Sequence, residues 1–278
     1  MKSAPFDYVR PRTVTEASAL LAQDGINTAA IAGGQSLVPM LNLRIAQIDL
    51  LVDLSRLDDL KVVSETPASL QIGALTTHAA IEDGKIPDRF SGLMRRVAST
   101  ISYRAVRNHG TIGGSIALAD PAADWPGCLI ALGTSVRISG RNGTRQQPMG
   151  DFVQGAYSTS LAAGEIILGF DVPLPDTPLL WGFAKVVRKT GAFANSIAFV
   201  VARGKAGPVS VVLAAAGPRP LVLSGAARHV ADGSGPEETL RAVIADDLKK
   251  HLPEADAYQT RLHTSTVMRA ARNMRAQA

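Results

Sequence analysis

The chain is poor in several residue types that carry chemistry elsewhere. It has one cysteine, Cys128, in 278 residues. A lone thiol cannot close an internal disulfide, hold an iron–sulfur cluster by itself or complete a structural zinc site. Its neighbours in Gly127-Cys128-Leu129-Ile130-Ala131 are apolar, the setting of a buried, inert thiol. The five histidines, His78, His109, His229, His251 and His263, show neither HxH nor HExxH spacing, which argues against a metal site within the chain. Aromatic residues make up only 5%, so few rings are available to stack nucleic-acid bases. No apolar run approaches the ~18 residues of a membrane helix. The opening Met-Lys-Ser-Ala-Pro-Phe-Asp-Tyr lacks the apolar stretch of a secretory signal. The expectation is a cytoplasmic protein with no membrane insertion and no nucleic-acid partner.

Hydrophobic residues at 46% and charged residues at 19% describe a folded chain whose core is built from Ala, Val, Leu and Ile. The formal charge of +5 fits either a solvated surface or an anionic partner, such as a phosphate-bearing cofactor or an acidic subunit. Only Arg261, Arg269, Arg272 and Arg275 cluster, and they read as one charged helix face.

Thr13-Val-Thr-Glu16 has capping-box spacing and predicts a short helix closed by Gly25. The apolar run 28–32 predicts a buried strand that stops at Gly33-Gly34, and a second strand follows at 50–54. Strands are then predicted at 60–64 and 69–75, and helices at 76–83, 88–98 and 122–132. A strand at 134–138 leads into the hairpin signal Arg141-Asn142-Gly143, and another strand covers 165–172. The Pro-rich stretch 173–178 is the linker candidate. Beyond it lie strands at 181–188, 195–202 and 209–216, then helices at 236–250 and 256–274, a sheet backed by a helix pair. The fold class is α+β. An N-terminal domain, 1–176, divides into lobes of about 1–56 and 57–176, and a smaller α+β domain covers 177–278.

Two loops concentrate the chemistry: Ala32-Gly33-Gly34-Gln35-Ser36, and Asn108-His109-Gly110-Thr111-Ile112-Gly113-Gly114-Ser115. Glycine turns successive N–H groups toward one point and lets a phosphate approach without a Cβ in the way. Ser36, Thr111 and Ser115 add hydroxyls. Neither loop is a GxGxxG fingerprint or a P-loop, and a Gly-Gly pair is also an ordinary tight turn. Spacing alone leaves both readings open.

Residues 28–44, Thr-Ala-Ala-Ile-Ala-Gly-Gly-Gln-Ser-Leu-Val-Pro-Met-Leu-Asn-Leu-Arg, resemble the first FAD motif of the medium subunits of carbon-monoxide dehydrogenase and related molybdenum hydroxylases, the xanthine dehydrogenase family among them. Residues 106–124 resemble the second. The similarity continues through 164–167 and 183–185 to 213–217, in the family's order. It implies a two-lobed FAD-binding domain of the type found in p-cresol methylhydroxylase (PCMH) and vanillyl-alcohol oxidase (VAO), followed by a carbon-monoxide-dehydrogenase-type flavoprotein domain. Carried over by motif, Ala32, Gly33, Gly34, Gln35 and Ser36 wrap the FAD pyrophosphate from one side, with Ile31 and Leu37 flanking them. Gly110, Thr111, Gly113, Gly114 and Ser115 close it from the other side. Asp124 matches an acid that accepts from the cofactor's sugar hydroxyls, with a plain helix N-terminal charge as its alternative. Lys185 matches a lysine near the flavin ring, or is simply solvated. Ile101 and Leu168 match apolar cofactor contacts, or are core. Phe193 matches an aromatic near the isoalloxazine, or anchors a loop. His109 departs from the arginine common in relatives.

The resemblance further implies a division of labour. Hydroxylation occurs at a molybdenum cofactor on a large partner subunit, electrons cross 2Fe-2S clusters on a small one, and FAD on this chain hands them to an external acceptor, be it NAD, oxygen or a quinone. The complex is expected to be a dimer of heterotrimers. The rival reading is a stand-alone VAO-type flavin oxidase.

Overall fold

Thr13 sits in extended backbone and its hydroxyl accepts from the Glu16 amide at 3.1 Å, so a helix starts where the sequence predicts one. The capping box is only half made, because the Glu16 carboxylate accepts from the Arg12 amide at 2.8 Å. This helix belongs to the first lobe of the computed structural model, which describes residues 2–204, 207–233 and 235–277. In chain order the lobe runs β1 (Asp7–Val9), α1 (Val14–Leu21), β2 (Thr28–Ile31), α2 (Leu37–Asn42) and β3 (Leu50–Asp53). Helical crossovers return each strand in the same direction, and the sheet is parallel in the order β1-β3-β2. The carboxyl end of β2 therefore opens straight into the first diglycine bend, the end of a parallel sheet at which ligands sit.

The second unit contains β4 (Val63–Glu65), β5 (Ser69–Gly73), α3 (His78–Glu82), α4 (Leu93–Ser99), α5 (Arg104–Arg107), α6 (Ile112–Leu118) and α7 (Asp124–Ala131). It continues with β6 (Ser135–Gly140), β7 (Gly143–Pro148), α8 (Met149–Phe152), the small hairpin β8 (Val153–Gly155) and β9 (Ser158–Thr159), and β10 (Ile166–Pro173). Its five strands pair antiparallel in the order β4-β5-β10-β6-β7. After 174–178 come β11 (Leu179–Val187), β12 (Ala194–Arg203), β13 (Val209–Ala214) and β14 (Leu221–Val222), then α9 (Ser224–Asp232), α10 (Glu237–His251) and α11 (Ala257–Arg275).

Strand β12 ties the molecule together because it is buried on both faces. With side chains alternating along a strand, Ile197, Phe199 and Val201 join the core of Trp125, Leu129 and Phe170. Ala198, Val200 and Ala202 join the core under α9, α10 and α11. Helix α7 lies against the first face. A Cβ built on its Gly127 would stand 2.7 Å from the Phe199 ring and 3.0 Å from the Ala214 Cβ, so the close approach requires glycine.

The structure corrects several local expectations. The strand predicted at 60–64 is a 3-10 turn, Asp58–Lys61, followed by the short β4. The carbonyls of Leu60 and Val62 are taken by the amides of Leu75 and Gly73, which bends the segment around the end of β5. The helix predicted from residue 88 starts only at Leu93. The Asp88 carboxylate accepts from the Phe90 and Gly92 amides, and Gly92 takes a positive φ of 82°. Helices α2 and α6 occupy segments read as loops, and α9 was not predicted.

Candidate cofactor-binding cleft

The two diglycine segments meet. The chain leaves β2 at Ile31, turns through Gly34 at φ 70° and enters α2. Gly33 is pressed so close to the second segment that a Cβ there would overlap the His109 carbonyl and lie 2.9 Å from the Gly110 Cα. The pairing Thr77 with Thr111, and the amide of His78 donating to the Gly110 carbonyl at 2.9 Å, pin the second segment to the start of α3.

The two segments contribute unequally. In the second, Ile112 N donates to the Thr76 carbonyl at 3.0 Å and Gly113 N to the Ala74 carbonyl at 2.9 Å. Gly114 N donates to Thr111 Oγ1 at 3.0 Å and Ser115 N to the Thr111 carbonyl at 3.0 Å. Gly113 and Gly114 are thus the first turn of α6, with their amides committed inside the chain. In the first segment, the amides of Gly33, Gly34, Gln35, Ser36 and Leu37 have no acceptor among the described residues. The sequence suggested backbone donors from both sides. The geometry leaves most of them to the first bend, and the second offers the Thr111 amide, which has no acceptor among the described residues, beside the hydroxyls of Thr111 and Ser115.

Around this junction lies a cleft of about 510 Å³, within the ~300–1,000 Å³ of small-molecule sites. Of the residues singled out from the sequence, Ile31, Ala32, Gly33, Gly34, Gln35, Ser36, Leu37, Ile101, Gly110, Thr111, Gly113, Gly114, Ser115, Asp124, Lys185 and Phe193 line it. Leu168 is not among the lining residues. Strand β10 shifts register between Ile167 and Gly169, so Ile166 and Ile167 face the cleft while Leu168 packs toward Ala17, Val52 and Leu54.

Asp124 opens α7 and Lys185 lies on β11, and Lys185 Nζ donates to Asp124 Oδ2 at 2.8 Å and to the Thr100 carbonyl at 3.1 Å. Burial pushes the Asp124 carboxyl above the usual carboxylate range, against the pull of the Lys185 ammonium. Its other oxygen, Oδ1, is buried without a partner among the described residues. Phe193 projects over the cleft, 72% exposed. The loop that carries it is fastened by Tyr103, whose hydroxyl donates to the Thr190 carbonyl at 2.9 Å and whose ring abuts Gly191.

Sequence reasoning missed four polar or charged wall residues. His78 is buried with Nδ1 accepting from Trp125 Nε1 at 3.0 Å, and burial holds its pKa down to about 4, with the Arg107 charge adding to the shift. Asp120 accepts from the Ala122 amide and the Tyr157 hydroxyl. Glu165 is gripped by the Arg145 guanidinium at 2.7 Å, which holds it below the usual range. Ser102 offers its carbonyl to Arg107 at 3.2 Å. Asp120 and Glu165 lie in the resembling stretches 106–124 and 164–167 without being singled out, and only folding brings all four groups to one wall.

The cleft fits a dinucleotide joined by a diphosphate. A run of unengaged amides faces it from the first bend, the glycine at position 33 leaves the space a Cβ would fill, and an unpartnered carboxylate oxygen waits in its wall for a hydroxyl donor. Fold and cleft together define a dinucleotide-binding protein whose parallel and antiparallel sheets are backed by a third sheet.

Comparison with known proteins agrees. Residues 4–175 match the family model described as the FAD binding domain in molybdopterin dehydrogenase. The carbon monoxide dehydrogenase medium chain of Hydrogenophaga pseudoflava is 37% identical over 205 residues, 74% of this chain and 71% of that one. Caffeine dehydrogenase subunit beta of Pseudomonas sp. (strain CBB1) is 33% identical over 202 residues, 72% of this chain and 68% of that one. A solved structure of the Hydrogenophaga pseudoflava carbon monoxide dehydrogenase, lacking the Mo-pyranopterin moiety of its cofactor, superposes with a TM-score of 0.92 at 31% identity, covering 100% of both chains. The chain belongs to the FAD-binding family of molybdopterin dehydrogenases, and is a medium-type subunit of a molybdenum-containing oxidoreductase. No helix among the described residues is long and apolar enough to cross a membrane.

Proposed function

We propose that this chain is the electron-transfer subunit of a heteromeric molybdenum hydroxylase. It takes electrons from 2Fe-2S clusters of a small partner subunit, the molybdenum cofactor resides on a large one, and an external acceptor removes the electrons. The observation that carries this reading is the contact of Gly33 with the His109–Gly110 backbone beside the open amides of residues 33–37. Charge-assisted hydrogen bonds from such amides, about 1.5–3 kcal/mol each, suffice to anchor a diphosphate. The flavin held there supplies an acceptor that takes electrons singly and releases them singly or in pairs. Thr111 and Ser115 close the diphosphate from the second side, Asp124 Oδ1 accepts from the cofactor's hydroxyls, and Lys185 sets a positive charge beside the ring. Residues 1–176 form the FAD domain and 177–278 the smaller domain, and the assembly is a cytoplasmic dimer of heterotrimers.

A stand-alone oxidase needs a general base over the flavin. Each carboxylate or imidazole named in the wall already has a partner: Asp124 with Lys185, Glu165 with Arg145, Asp120 with Tyr157, His78 with Trp125. Affinity purification of the native chain tests the proposal. A large and a small subunit should co-purify, and the complex should show flavin absorbance near ~450 nm that bleaches when its substrate is added without oxygen. A colourless protein, or a single chain producing peroxide from substrate without partners, contradicts it.

A further inference from the structure

His78 is the imidazole of the cleft wall, where the glycine bends and the Asp124–Lys185 pair give it no role. It is 5% exposed and stands between Trp125 and Gly110. The indole N–H of Trp125 can only donate. Nδ1 of His78 is therefore the bare nitrogen, and the hydrogen of the neutral ring is on Nε2. On that edge of the ring, a Cβ at Gly110 would lie 2.9 Å from both Cδ2 and Nε2, so only glycine lets the imidazole come up against the second segment. Nε2 has no acceptor among the described residues. The main chain reinforces the placement, since the amide of His78 itself donates to the Gly110 carbonyl at 2.9 Å. The imidazole is thus fixed in position and in tautomer, with one free N–H in the wall where the two diglycine segments meet.

We propose that His78 is a cofactor-binding residue whose Nε2–H donates to a phosphate oxygen of the bound dinucleotide, with Trp125 as the positioning residue that holds the tautomer. The inference rests on the cofactor reading above and deepens it. The second segment has committed the amides of residues 112–115 to its own fold. Only the Thr111 amide is left without an acceptor there among the described residues, so side-chain donors supply most of that half of the diphosphate cradle, and His78 joins the hydroxyls of Thr111 and Ser115. A neutral imidazole suits the task, because it donates to the anion without burying a second cation near Arg107. Its neutrality is kept by burial and by the Trp125 hydrogen bond, which protonation at Nδ1 would break.

The test compares FAD with riboflavin, which carries the same ring without phosphate, on the full-length chain by quenching of flavin fluorescence. The wild-type chain should bind FAD, and His78→Leu should weaken FAD by about tenfold, the worth of one charge-assisted hydrogen bond. Riboflavin affinity should move less than about twofold. His78→Gln places an amide N–H near the position of Nε2 and should keep FAD within about threefold of wild type. Trp125→Phe leaves the ring but frees its tautomer, and should weaken FAD while sparing riboflavin. If His78→Leu does not fold, as judged by thermal unfolding of the apo chain, the Gln and Trp125→Phe pair decides. Equal losses of FAD and riboflavin, or no loss of either, would overturn the inference. A wild-type chain that binds neither flavin overturns the cofactor reading, and this inference with it.

Discussion

Gly33 is pressed against the carbonyl of His109, and no side chain fits between them. This contact joins Ser18 Oγ donating to the Gly164 carbonyl at 2.6 Å and Arg141 Nη2 donating to the Ala22 carbonyl at 2.8 Å in closing the first lobe on the second. Gly33→Ala must push the bends apart, at an overpacking cost of about 1–3 kcal/mol. The expected outcome is a folded chain that purifies with less than about a tenth of the wild-type flavin, read from visible absorbance. Full flavin occupancy in that variant would count against the bends as the phosphate cradle.

Lys185 and Asp124 are side-chain partners at 2.8 Å, 10% and 6% exposed. Removing the ammonium strands a buried carboxylate. Lys185→Met should therefore destabilise the chain by about 3 kcal/mol, in the range for a broken buried pair. Adding Asp124→Asn should restore a good part of that loss, because no charge is then left alone. Thermal unfolding of the two single variants and the double variant measures the coupling.

His78 makes stability depend on pH. Its folded pKa of about 4 lies below the ordinary value of 6.5. Between those values the unfolded chain binds a proton that the folded chain refuses, so stability rises with pH in that window. The contribution is full above about pH 6.5 and is lost as pH falls toward 4, a change on the order of 3 kcal/mol. Urea unfolding across that range should show the slope, and His78→Gln should flatten it. An unchanged slope in that variant would remove His78 as its source.

Tyr103 fastens the loop of Thr190 to Phe193 from outside, by its hydroxyl and by its ring against Gly191. Tyr103→Phe loses only the hydrogen bond, and amide exchange in residues 189–193 should quicken. Gly191→Ala is the harsher change, since φ is 81° and the new methyl meets the Tyr103 ring. It should displace the loop and alter the flavin's visible spectrum, whereas Tyr103→Phe should leave that spectrum nearly unchanged.

Legibility in the sequence followed the range of the forces involved. The strands β11, β12 and β13 and the helices α10 and α11 were predicted to within a few residues, because long apolar periodicity and helix ends are local signals. The strand β2 running into Gly33-Gly34 was equally plain. Helix α6 was not, because Gly113 and Gly114 argue against a helix by propensity. Tertiary bonds from Ile112 and Gly113 to Thr76 and Ala74 impose it instead. In the cleft, motif resemblance picked out Asp124 and Lys185 singly but not their pairing across 61 positions. His78 depends on Trp125, 47 positions away, and no pattern in the chain links them.

Helix α7 begins in the cleft with Asp124 and closes its first turn at Gly127, against Phe199 and Ala214. It joins the cleft wall directly to the C-terminal sheet. Occupancy of the cleft should therefore be felt far from it: filling it should slow amide exchange in β12 and β13, and trimming Phe199 to Leu should loosen the grip on a cofactor it never touches.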